Sequence, residues 1–316
     1  MTAWRALAGA AAGLLLAGCE VPAPRVAPPP PAARPPEASP PPPARGGLDS
    51  RLEALYAGQE QRLLAQGLMR RDGGGPDSAF DAESLTRDFV EIALFDEYRE
   101  TAGGQLIQSP TSSQLRRWAE PVRIGVTFGA GVPEATRRKD LEDIARYAER
   151  LARAADHPIE LADPADANFH VLVLGETERL AAAPQLRALV PRISEASIRT
   201  ATDIPRSIYC LALAFSEPGR FTYAGAIAIV RAEHPDLTRL SCYHEEIAQG
   251  LGLANDSPTA RPSIFNDDEE FALLTWHDEL LLRILYDPRL TPGMTAAQAA
   301  PVVRRIAEEL LPGPRA

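Results

Sequence analysis

Cys242-Tyr243-His244-Glu245-Glu246-Ile247-Ala248-Gln249-Gly250-Leu251-Gly252-Leu253-Ala254-Asn255-Asp256 is the stretch on which the reading of this chain turns. His244-Glu245 invites comparison with His-Glu-x-x-His, in which two histidines one helical turn apart bind zinc and the glutamate activates a water. That register fails, because position 248 is alanine. Moved on by one residue the frame fits better: Glu245, Glu246, Gln249, Gly252 and Asn255 fall on the spacing of His-Glu-x-x-His-x-x-Gly-x-x-His. At about 100° per residue, Leu240, His244, Ile247 and Leu251 share one apolar face, and Glu245, Glu246 and Gln249 project from the other. Any amphipathic helix would have such a face.

With Ser263-Ile264-Phe265 standing where a Met-turn would be, the segment resembles a metzincin site whose three histidine ligands have become Glu245, Gln249 and Asn255. The resemblance implies a zincin-like fold, with residues 236–253 as the site helix and Ile264-Phe265 turning beneath it. The same stretch, together with an export signal and two downstream cysteines, resembles a bacterial lipoprotein family known as domain of unknown function 2927. That likeness runs roughly over residues 85–286, and its specific part is Glu245-Glu246-x-x-Gln249-x-Leu251-Gly252-Leu253-x-Asn255-Asp256. It implies a fold and no reaction.

Outward from the motif, Pro121 opens an alternation of Val122, Ile124, Val126 and Phe128, the period of a half-buried strand. A helix is expected from Pro133, with Leu141, Ile144, Ala148 and Leu151 on one stripe. Further strands are expected at residues 169–174, 208–215 and 223–230, and helices at 180–189, 236–253, 267–286 and 302–311. Ahead of these, residues 48–69 read as a polar helix broken by Gly73 to Pro76. A second helix, capped by Asp81, carries Leu85, Phe89, Ile92 and Leu94 before a polar loop. The order predicts an α+β fold, a zincin-like mixed sheet packed against the site helix with an N-terminal helical preface. The expected divisions are 1–18, 19–47, 48–80 for the preface and 81–316 for the domain.

The donor set argues against a metal. Catalytic zinc prefers histidine nitrogen, whereas Glu245, Gln249 and Asn255 offer one charge and two neutral amide oxygens. Calcium wants six or more oxygens, and Asp256 is the one obvious extra anion. No metal and no cofactor are therefore expected. Metal-free hydrolysis would need Glu245 and Glu246 to work as an acid and base pair, and neighbours on a helix point about 100° apart. There is no Gly-x-Ser-x-Gly elbow, and Cys210 sits in an apolar strand, unlike a reactive thiol. His157, His170, His234 and His277 are scattered and read as structural. Asp267, Asp268, Glu269 and Glu270 stand where a helix is expected to begin, and contact with its dipole accounts for them, a divalent ion there being the lesser alternative.

The amino terminus explains where the domain works. Residues 6–16 are an unbroken apolar or small run, too short to span a bilayer but right for a signal peptide. The cut site reads Leu16-Ala17-Gly18-Cys19, so Cys19 is expected to become the lipidated first residue of a lipoprotein. Glu20 after it leans toward the outer membrane. Residues 21–45, rich in Pro, Ala and Arg, favour polyproline II and span roughly 75 Å at about 3.1 Å per residue, a stalk lifting the domain off the membrane. With 33 Lys and Arg against 43 Asp and Glu the net charge is −10, which argues against nucleic acid and anionic lipid surfaces as partners. An oxidising compartment makes Cys210 and Cys242 a natural disulfide.

Together these readings predict a periplasm-facing lipoprotein whose protease-like cleft has lost zinc. It would serve as a binding or structural module for a peptide or cell-envelope partner. The alternative is a peptidase-like hydrolase using Glu246 as general base with an atypical metal or none.

Overall fold

Val122, Ile124 and Val126 point into the interior along strand β4 (Val122–Phe128), and the rest of the sheet is laid out around it. The computed structural model describes residues 48–100, 106–266 and 268–311, all within one unit of residues 45–316. The signal segment, Cys19 and the Pro-rich stretch lie outside the described residues, as does Asp267.

Before β4 come helix α1 (Ser50–Ala65), helix α2 (Ala82–Ala93), an antiparallel hairpin of β1 (Phe95–Glu100) and β2 (Leu106–Ser112), and a two-residue strand β3 (Arg117–Trp118). After it come α3 (Glu134–Ala155), β5 (Ile159–Leu161), β6 (Phe169–Leu174), three short helices α4 (Glu176–Leu180), α5 (Ala183–Leu189) and α6 (Glu195–Thr202), then β7 (Cys210–Ser216) and β8 (Thr222–Arg231). Helices α7 (Asp236–Leu251), α8 (Trp276–Leu285) and α9 (Ala296–Leu310) complete the chain.

β5, β4, β6 and β8 are neighbours in that order and all parallel. β3 joins the beginning of β8 in parallel at Thr222 and Tyr223. β7 runs antiparallel to β8, Cys210 opposite Val230 and Ala214 opposite Ala226, and pairs with no other strand among the described residues. The fold is α+β with a mixed sheet.

Side chains alternate across a strand, and here both faces are buried. Phe169, Val171 and Val173 of β6 join Ala226, Ala228 and Val230 of β8 in a large core that also takes in residues of α2, α3, α7, α8 and α9. Leu172, Leu174, Ile227 and Ile229 face the other way, onto Leu186 of α5 and Ile198 and Ala201 of α6. On β7, Cys210 and Ala214 turn toward the first core and Leu211, Leu213 and Phe215 toward the second.

Three expectations change. The polar loop after α2 is in fact the β1–β2 hairpin. The helix expected over 180–189 is a pair, α4 and α5, with Pro184 opening the second. The helix expected from residue 267 starts at Trp276, because the Thr275 side chain accepts from the Asp278 N–H and closes a capping box there, which is the stronger start signal. Asp268, Glu269 and Glu270 therefore lie ahead of its first turn. Instead the Met69 and Arg70 N–H groups donate to the carbonyls of Glu269 and Glu270 at 2.8 and 2.7 Å, which ties the preface to this loop.

Candidate functional site

α7 carries the motif and is buried almost all round, which the two-faced reading of its sequence did not anticipate. Ile247 and Leu251 fill the core, but Glu246 and Gln249 are also buried, at 3% and 7% exposure. Close approach explains the two glycines. A Cβ on Gly250 would sit 2.4 Å from the Phe169 ring, so the helix presses on the sheet there. Gly252 ends the helix at φ 128°, a conformation that favours glycine, and a Cβ there would lie 2.4 Å from the Arg116 carbonyl oxygen. The turn it makes brings Asn255 and Asp256 back past the end of the helix. At the other end of the site, the disulfide between Cys210 and Cys242 joins β7 to α7. Ser263 and Phe265 are buried, and Phe265 shares the core with Ile247 and Leu251.

Beside α7 lies a groove of about 340 Å³, walled by the chain from Ser207 to Leu211 on one side and by Glu97 and Tyr98 of β1 on the other. Glu245, Glu246, Gln249, Asp256 and Glu269 complete its lining. A second hollow of about 260 Å³ shares Glu97, Tyr98 and Gln249 and runs on past Ala212 to Phe215, so the two follow β7 along its unpaired side.

Of the motif positions, Glu245, Glu246, Gln249 and Asp256 reach the groove and Asn255 does not. The Asn255 side-chain amide donates to the carbonyls of Glu91 and Asp256 at 2.9 and 2.7 Å, and its backbone N–H donates to the Ile92 carbonyl. It braces the turn against the end of α2. Gln249 reaches toward Asp256 at 3.5 Å, the outer limit of a hydrogen bond. The expected meeting of Glu245, Gln249 and Asn255 is thus replaced by one in which Asp256 takes the third place.

Carboxylates of one sign are crowded here. Oxygens of Glu245 and Glu246 lie within 4.8 Å of each other and of Cys210 Sγ, although their Cα–Cβ bonds diverge on the helix; long side chains close what the backbone angle opens. Burial, and then the charges of Glu246, Asp256, Glu269 and Glu97, push the Glu245 pKa well above the usual carboxylate range. Burial with Glu97 and Asp256 does the same to Glu246. Burial first, then Glu97 and Glu246, also raises Tyr98. One oxygen of Glu246, Oε2, is buried with no hydrogen-bond partner among the described residues.

The groove does not fit zinc. Among the described residues no histidine lines it, and the nearby Cys210 sulfur is bonded to Cys242. His244 turns away: its Nδ1 accepts from the Leu274 N–H at 3.0 Å, its ring stacks on Tyr147 at 3.9 Å, and burial pushes its pKa down to about 3. It stays neutral and structural. His277 is sandwiched between Asp88 and Asp278, each less than 2% exposed.

Sequence reasoning missed Glu97 and Tyr98, and set Glu269 at a helix start rather than in this groove. β1 is too charged to read as a strand, and Glu269 holds a positive φ of 58° that no local motif announces.

Residues 82–305 match a family model described as "Protein of unknown function (DUF2927)". No curated protein and no solved structure matches the chain. The matched span opens on the first residue of α2, the helix that braces Asn255, and takes in every residue lining the groove from Glu97 to Glu269; the chain belongs to this DUF2927 family.

Proposed function

We propose that this protein is a lipid-anchored, periplasm-facing envelope protein whose groove binds an extended peptide as an added strand on β7. The observation that carries the reading is the unpaired side of β7 running beside the groove. An edge strand presents main-chain donors and acceptors that an incoming strand can pair, and alternate side-chain pockets then give selectivity. Ala212 and Ala214 leave room where larger side chains would fill the second hollow. The metzincin-like spacing of Glu245, Glu246, Gln249 and Gly252 supports descent from a peptide-handling cleft. The Cys210–Cys242 disulfide supports an oxidising compartment. The cut site before Cys19 supports the anchor.

Panning displayed random linear peptides on the purified chain tests the groove. Enriched peptides should lose binding to an Ala212→Trp variant, which plugs the second hollow, and should not tolerate N-methylation at alternate backbone positions. Peptides that bind Ala212→Trp as well as the parent would place recognition elsewhere. For the anchor, Cys19→Ser should move the protein from the membrane to the soluble fraction and abolish incorporation of labelled palmitate.

A second reading, a hydrolase, draws on one observation: Glu246 has the raised pKa of a general acid or base and stands close to a second carboxylate. It requires peptide cleavage that Glu246→Gln abolishes. The binding reading expects equal, background cleavage from both proteins.

A further inference from the structure

We propose that the carboxylate end of the groove is a binding site for a hard divalent cation, calcium by its donor set, held by Glu246 and Glu245 with Asp256, Glu97 and Glu269 around them. Two independent observations point there. The first is that carboxylates from four separate segments, β1, α7, the turn after it and the loop ahead of α8, line one hollow, with oxygens of Glu245 and Glu246 within 4.8 Å of each other. The second is Glu246 itself: the residue is 3% exposed, it lines the hollow, and its Oε2 has no hydrogen-bond partner among the described residues. Buried polar atoms are nearly always answered, and a buried carboxylate is costly unless something of opposite charge meets it. A cation in the hollow answers it.

The donors name the class of ion. The Glu245 and Glu246 carboxylates are the close pair, and Asp256, Glu97, Glu269 and the Gln249 side-chain amide add further oxygens to the lining of the same hollow. The one sulfur nearby is locked in the disulfide and is no thiolate ligand. Oxygen-only sites suit calcium or magnesium rather than zinc or copper. Calcium takes six to eight oxygens in flexible geometry, and carboxylates serve it in one- or two-oxygen fashion. Magnesium demands a tighter octahedron and keeps more of its water, a poorer match to long side chains gathered from four segments. The sequence reading found Asp256 as the one obvious extra anion for calcium; the tertiary fold adds Glu97 and Glu269 to the lining of the same hollow.

The proposal does not rest on the peptide reading, since the ion is measured with no peptide present. The purified full chain, stripped with EDTA, is titrated with calcium chloride by calorimetry, and its melting temperature is followed in parallel with calcium, magnesium and zinc. We expect one calcium per chain with affinity at or tighter than about 1 mM, the weak end for extracellular calcium modules, and a melting temperature that climbs with calcium. Glu246→Gln and Asp256→Asn should each weaken binding at least tenfold, while Glu142→Gln, exposed on α3, leaves it unchanged. Because Glu246→Gln removes one of several crowded charges, it should also melt higher than the parent in EDTA, which shows that the variant is folded. No heat and no melting shift at about 1 mM calcium would overturn the proposal. So would calcium binding that survives both variants, or a shift given by zinc alone.

Discussion

The two ends of α7 bury charge in opposite ways. Toward its start, Arg239 donates to both oxygens of Asp140, at 2.7 and 3.0 Å, and also to Asp236 and the His234 carbonyl, while the Tyr243 hydroxyl donates to Asp140 at 2.8 Å. Arg239 and Asp140 are 3% and 2% exposed, and their charges cancel. Less than two turns on, Glu245 and Glu246 stand among further carboxylates, with Glu246 Oε2 unanswered. A buried pair whose atoms all find partners holds the helix to α3. A buried group left unanswered costs stability, and such groups cluster at functional sites. The contrast marks which end of the helix is scaffold and which is site.

Breaking the answered end should have the largest effect. Arg239→Leu strands Asp140 in the core, and losing one partner of a buried pair costs about 3 to 5 kcal/mol; urea unfolding measures it, and an unmoved midpoint would remove the scaffold assignment. Next is the disulfide that clamps β7 to α7. With a sequence separation of 32 residues, replacing Cys210 and Cys242 by serine should cost about 3 to 4 kcal/mol in the chain-entropy model. Unfolding with and without reductant should converge on the same loss.

The unanswered end should respond with the opposite sign. In EDTA, Glu246→Gln should raise the melting temperature by a few degrees, the scale of about 1 kcal/mol in a domain of this size. The pH dependence follows from the raised carboxylates. The unfolded chain releases these protons near its ordinary pKa of about 4.3, whereas the folded chain holds them to higher pH. Between those values the folded state binds more protons, so stability falls as pH rises. Glu246→Gln should flatten that slope in a thermal scan from acid to neutral pH, and an unchanged slope would place the titrating group elsewhere.

The smallest expected effect sharpens the comparison at a third place. Burial alone would lower the His277 pKa, but the Asp278 carboxylate 3.6 Å from its Nδ1 and the Asp88 carboxylate hydrogen-bonded to its Nε2 raise it above 6.5. Its contribution is then fully present below about pH 6.5 and lost as pH rises through the raised value. His277→Asn should remove that upper slope and leave the Glu246 slope in place.

Much of the scaffold was legible. The β4 alternation, the Asp81 cap and the Pro133 helix start are local patterns with local causes, and the structure carries each of them. The hairpin was not legible, because Phe95–Glu100 has charges where a strand signal needs apolar residues. Position 267 looked like a helix start on its acidic run, and the Thr275 and Asp278 capping box overrode it. The site was half legible. Spacing picked out Glu245, Glu246 and Gln249, the family resemblance added Asp256, and the spacing also included Asn255, whose side chain is spent on the Glu91 and Asp256 carbonyls.

By itself, the sequence determined the strands and helices that repeat a pattern and the helix that carries the carboxylate motif. These depend on interactions within a few turns of the chain. Tertiary structure alone decided that Glu97 and Glu269 join Glu245 and Glu246, that β7 is the sheet's edge, and that Asn255 turns away. Glu97 and the Glu91 carbonyl that holds Asn255 come from far earlier in the chain than α7, Glu269 comes from a loop after it, and no periodicity along the chain encodes which side chains meet there.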